Sequence, residues 1–190
     1  KNYEITLTEP RKLRVEDVAN ESQEDLEFAR DRVVELGVGF DHLVVTTTSQ
    51  CFIYTLTNLN TPIIFEIKAA PHFVKLCKNH FLTLDQISGI MITNYEGRQM
   101  ANLRFQGLRP EYITRDMVGL SPDTVVVVDS VDQKVLQIMD ASSGRLVGKH
   151  VHSTEITNVS LNQHTLGPQE RLLVFSDKNH DLYVCNLGAG

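Results

Sequence analysis

Four stretches of this chain repeat one pattern of apolar and polar positions. Each is a short apolar strand, a polar turn, a second apolar strand, and a turn that closes with small residues or glycine. They read HLVVTTTSQCFIYTL from His42, HFLTLDQISGIMITNYEG from His80, TVVVVDSVDQKVLQIMDASSG from Thr124 and RLLVFSDKNHDLYVCNLG from Arg171. With the apolar runs around them, they predict strands at 33–38, 43–47, 51–56 and 63–67, then at 73–76, 81–84, 89–93 and 101–105. A third set falls at 117–120, 125–128, 135–139 and 146–147, and a fourth at 156–161, 172–175 and 182–185. No long amphipathic helix is predicted.

The middles of the second strands of the four stretches, near Ile53, Met91, Gln137 and Tyr183, lie about 38 to 46 residues apart, the period of β-propeller blades. Taken in fours, each set makes one antiparallel sheet, and the last set lacks its fourth strand. The chain is therefore expected to be all-β: a partial WD40-like β-propeller of about four degenerate four-stranded blades, with its ring incomplete. The blades are placed at 32–70, 71–106, 115–149 and 150–190. Ahead of them, 1–31 reads as a leading strand and an acidic loop. Positions 3–7 and 13–15 alternate like strands across Pro10, while 16–31 carries Glu16, Asp17, Glu21, Glu24, Asp25, Glu27 and Asp31 against Arg30 alone. That acidic run is expected to be a solvated, dispensable loop or helix face. The runs Val125-Val126-Val127-Val128 and Leu172-Leu173-Val174-Phe175 lack polar alternation and read as strands buried on both faces. The more polar stretch 144–148 suits an outer rim.

Composition narrows the class without naming a function. The chain is 42% hydrophobic and 22% charged, as ordinary globular proteins are. No apolar run approaches the roughly 20 residues that a membrane helix needs, so direct membrane insertion is not expected. The first residues do not resemble a signal peptide, and the missing initiator Met suggests a piece of a longer chain. With a net charge of −6 and no Lys/Arg cluster interleaved with aromatics, the chain offers little to neutralise phosphates, so nucleic acid is not an expected partner. Cys51, Cys77 and Cys185 form no CxxC pair and sit in or beside apolar strands, which fits buried thiols in a reducing compartment. The glycosylation sequons at Asn20 and Asn158 are then chance matches.

The residues that could carry chemistry fail on spacing. Asp177-Lys178-Asn179-His180-Asp181 starts like a calcium loop, but Leu182 stands where the loop needs Gly and Gly188 where it needs a bidentate Glu. It reads as a polar hairpin turn. His150/His152 and Cys77/His80 could each begin a zinc site, yet neither has a second pair at a suitable interval, so they read as turn and rim residues. No serine sits in a nucleophile elbow, and no glycine-rich phosphate loop is present. No catalytic, cofactor-binding or metal-binding residue and no cofactor is expected, and the chain is not expected to be an enzyme.

The stretch 120–161 resembles a WD repeat in order and spacing. Ser121-Pro122-Asp123 matches the turn between the first and second strands, Asp129 opens the next turn, and Ser143-Gly144 matches the Ser/Thr-Gly turn. Met139-Asp140 stands where the family has Trp-Asp, and His152 takes the place of the histidine before the next inner strand. There is no Trp in the chain. Met139 and Cys185 occupy two of the expected Trp positions, so the Trp–Ser/Thr–His–Asp network of regular blades is expected to be incomplete and apolar packing to bear more of the stability.

A narrower resemblance runs through NYEITL at Asn2, LEFARDRVV at Leu26, HLVVTTTSQC at His42, TPIIFEIK at Thr61, NYEGR at Asn94 and DKNHDL at Asp177. Together these are similar to the WD-repeat subunit, of the eighty-kilodalton class, of intraflagellar transport complex B, in its second β-propeller. The resemblance implies a non-enzymatic scaffold for cilium or flagellum assembly and intraciliary transport, found at the axoneme and basal body and in the cytoplasm. It implies other complex B subunits as partners and leaves open self-association through parts of a parent chain beyond these residues. The runner-up is the propeller of a vesicle-coat or other trafficking scaffold. A propeller hydrolase or lectin with a ligand in its central channel is a third class, disfavoured because a partial arc cannot frame a channel.

Overall fold

The computed structural model describes residues 2–163 and 170–188. Among these, strands β1 (Tyr3–Glu9), β2 (Lys12–Asp17) and β3 (Ser22–Glu27) form one sheet, and β4 (Val33–Gly39), β5 (His42–Thr47), β6 (Gln50–Thr55) and β7 (Asn58–Glu66) form a second. A third holds β8 (Phe73–Leu76), β9 (His80–Asp85), β10 (Gly89–Asn94) and β11 (Gln99–Leu103), and a fourth β12 (Val118–Leu120), β13 (Thr124–Val128), β14 (Val135–Asp140) and β15 (Leu146–Val151). The fifth has β16 (Ile156–Leu161), β17 (Leu172–Asp177) and β18 (Leu182–Asn186). Every sheet is an antiparallel meander of consecutive strands, as expected for propeller blades. The stretch read as 150–190 runs through positions 164–169 and 189–190, which lie outside the described residues.

The sheets fall into two compact units, Lys1–Ala70 and Pro71–Gly190. In the first, Leu13, Val15, Leu26 and Phe28 meet Leu43, Val45, Phe52 and Tyr54, with the Phe28 and Phe52 rings edge to face at 4.9 Å. In the second, one core runs through the third, fourth and fifth sheets. Val125, Val126, Val127 and Val128 are all fully buried in it, so the unbroken valine run is a strand covered on both faces. Burying each valine contributes about 1.5–3 kcal/mol.

Two expectations fail. The acidic stretch is neither loop nor helix, because Ser22–Glu27 pairs along its whole length with β2, from Lys12↔Glu27 to Asp17↔Ser22. Only Leu26 of that strand is buried, and the carboxylates point to solvent, with Asp25 against Arg14 at 3.3 Å and Glu27 against Lys12 at 3.4 Å. A single buried leucine, followed by buried Phe28, anchors the strand, and pairing with β2 does the rest. The second failure is Leu172–Phe175. Leu173 and Phe175 are buried, but Leu172 and Val174 face outward and are 38% and 37% exposed. The sheet packs through one face only, so the run is apolar on both sides but covered on one.

Met139 is wholly enclosed within the core of the second unit, where a Trp-Asp pattern would place an indole. A carboxylate there would be buried without a partner. Met139→Asp should destabilise the protein by about 3–5 kcal/mol in urea unfolding, and an unchanged midpoint would overturn this placement.

Candidate interaction surface

A set of polar side chains in the blades holds the turns. At or just past the end of each second strand of the four later sheets, a carboxylate or hydroxyl accepts two backbone N–H groups of the following turn. Thr47 Oγ1 takes those of Ser49 (3.3 Å) and Gln50 (3.0 Å), and Asp85 Oδ1 those of Ile87 (2.8 Å) and Ser88 (2.5 Å). Asp129 Oδ1 takes Val131 (2.8 Å) and Asp132 (3.3 Å), and Asp177 Oδ1 takes Asn179 (3.0 Å) and Asp181 (3.2 Å). Short side chains with an acceptor oxygen close such turns because they reach the N–H groups two and three or four residues on. The following hairpins use the same device, with Asn94 receiving Glu96 and Arg98 and Asp140 receiving Ser142 and Ser143.

The second oxygen of Asp177 joins a further network. It accepts from His152 Nε2 and from Thr154 Oγ1, both at 2.9 Å. The His152 ring lies 4.4 Å from Tyr183 and 5.1 Å from Phe175, edge to face in both cases. The histidine–aspartate half of a WD network is thus present without its tryptophan: Met139 is enclosed by apolar groups, and Cys185 is only partly buried at the core's margin. The bond from His152, reinforced by Thr154 and the backbone donors against the cost of desolvation, holds the Asp177 carboxyl down at about 2.

The residues singled out for possible chemistry sit in structural contacts. The DKNHD segment is a hairpin turn whose leading carboxylate is already spent on backbone and histidine. His150 packs against Phe175, and His80 donates from Nε2 to the Ser121 carbonyl at 3.2 Å. Among the described residues no group of three or more His, Cys, Asp or Glu could hold a metal ion. Burial pushes the Cys51 thiol up to about 12 and raises that of Cys77, so neither supplies a thiolate near neutral pH.

What the structure does offer is apolar surface on the fifth sheet. Val174 pairs directly with Val184, and Leu172 and Leu182 flank them on the same face. Val184 is 67% exposed and Leu182 74%. Together these four side chains make an aliphatic face that the described residues leave partly open.

The sequence of all 190 residues matches the family model described as IFT80 second beta-propeller, over residues 1–190. The chain belongs to that family. It is 37% identical to the Intraflagellar transport protein 80 homolog of Rattus norvegicus and 36% identical to that of Mus musculus, each time across 98% of this chain. It spans 24% of the length of these relatives. Among solved structures, Kluyveromyces lactis Hsv2 overlays with a TM-score of 0.70 at 15% identity, covering 98% of this chain and 59% of that one. The Cps50 (Swd1) β-propeller domain of Myceliophteria thermophila does so at 0.66 and 12%, covering 97% and 66%. At such identities these two speak for the fold alone, and they support the partial WD40-like propeller expected from the repeat. The family resemblance read from the short segments is likewise borne out.

Sequence reasoning found Asp129, Asp177 and His152 but missed Thr47 and Asp85. The signal for those two was their place at the close of an apolar strand, three residues before the next strand or nearly so. It also missed the aliphatic face, since alternation cannot separate covered from uncovered sides when both are apolar. Because the folded pKa of Asp177 is depressed, its ionised form stabilises the fold above the unfolded value, and that contribution fades as pH falls from about 4 through about 2. Asp177→Asn should lower stability at pH 7 and flatten the acid limb in that window. Urea unfolding across pH 2–7, if it shows the same slope for both proteins, would refute the assignment.

Proposed function

We propose that this chain is a non-catalytic scaffold segment of intraflagellar transport complex B, acting through protein contacts in cilium or flagellum assembly and intraciliary transport. The family match over residues 1–190, with relatives named Intraflagellar transport protein 80 homolog, carries this reading. The geometry supports it. Asp85, Asp129 and Asp177 are committed to closing turns, Cys51 and Cys77 are buried, and a propeller segment with exposed aliphatic side chains is suited to being held among other proteins. Its partners are then other complex B subunits, and its sites of work are the cilium or flagellum, with axoneme and basal body, and the cytoplasm.

The test is to tag the full-length protein in ciliated cells. Complex B subunits should co-purify with it, the tag should enter the cilium, and deletion should shorten or abolish cilia. Co-purification with a vesicle coat and exclusion from normally formed cilia would favour the trafficking-scaffold alternative instead.

A further inference from the structure

Beyond this reading, the second unit contains a connection that neither the repeat pattern nor the family match assigns. The turns joining first and second strands in its three sheets are bonded to one another. In the third sheet, Cys77 N–H donates to the His80 carbonyl to close the turn, and buried His80 reaches across to the Ser121 carbonyl of the fourth sheet's turn at 3.2 Å. There Ser121 Oγ and Thr124 Oγ1 both donate to Asp123 Oδ1, at 3.1 and 2.8 Å. Asp123 in turn receives Arg171 from the fifth sheet through two bonds, Nε to Oδ1 at 2.8 Å and Nη2 to Oδ2 at 3.1 Å. Arg171 Nη1 also donates to the carbonyl and the side-chain oxygen of Asn162, and Asn162 Oδ1 accepts the Leu172 N–H, tying the end of β16 to the start of β17. Arg171 is 1% exposed.

We infer that the chain His80–Ser121–Asp123–Arg171–Asn162 is a polar strap whose Asp123–Arg171 link makes the fifth sheet open together with its neighbour rather than fray alone. In stacked repeats each sheet is held by its nearest neighbours, so a link between two sheets couples their opening. Apolar packing holds the fifth sheet in place but is non-directional. A planar, doubly bonded guanidinium–carboxylate pair is directional, and removing the carboxylate would take from the buried guanidinium its charged partner. Asn162 and Arg171 are positioning residues in this sense: they fix the turn that fixes the sheet.

Native-state hydrogen exchange read by mass spectrometry on the full chain tests this. In Arg171→Gln the amides of Ile156–Leu161, Leu172–Asp177 and Leu182–Asn186 should exchange about tenfold faster or more, while those of His80–Asp85 and Gly89–Asn94 keep their protection. The double variant Asp123→Asn/Arg171→Gln should lose less than the sum of the two single variants, since the Asp123–Arg171 link is lost in each of them. Asp123 is partly open to solvent, so Asp123→Asn serves as the single variant, with the same expected pattern, should Arg171→Gln fail to fold. Equal loss of protection in all three sheets, or effects that add in the double variant, would overturn the strap.

Discussion

Apolar side chains pressed between neighbouring sheets are the constraint on which the rest of this molecule depends. Val125–Val128, Leu82, Leu84, Ile90, Ile92, Leu136 and Met139 lie fully buried across adjoining sheets of the second unit. A regular WD blade adds a hydrogen-bonded brace ending in an indole. Here the chain has no indole, and the fourth sheet fills that place with a thioether that conforms to its surroundings but bonds to nothing. Directional interactions then have to come from elsewhere, and they come from turns.

That division of labour explains the distribution of polar residues. Asp85, Asp129 and Asp177 are buried, yet each carboxylate is met by backbone N–H groups, and two of them by a second side chain. A buried carboxylate is tolerable only when satisfied in this way. The same logic makes such residues poor candidates for ligand chemistry, because their lone pairs are committed. The aliphatic side of the fifth sheet, with Leu182 and Val184 largely exposed, departs from an ordinary solvated strand.

Much of this was legible in the amino-acid order. The period of the hairpin phrase gave the sheets, and the four-valine run gave the strand covered on both sides. What could not be read was decided by neighbours distant in sequence. Ser22–Glu27 looks like a loop because its charge is obvious and its one core residue, Leu26, is not; pairing with β2 makes it a strand. Leu172 and Val174 look like core because their apolarity is local information, while their exposure depends on which sheets lie beside them. The Asp123–Arg171 pair, 48 positions apart, has no local signature.

The meander topology has a kinetic meaning as well. Every described strand pairs with its immediate predecessor or successor, so the first four sheets need only short loops to close, and loop closure is an entropic cost of β-sheet formation. A turn already tied by its own carboxylate or hydroxyl lowers that cost at the point where a hairpin begins. Strand pairing within each of those sheets is thus a local event, while their cores are shared between sheets. Packing of sheet on sheet, in which valines and leucines lose their water and Arg171 meets Asp123, joins residues far apart in sequence.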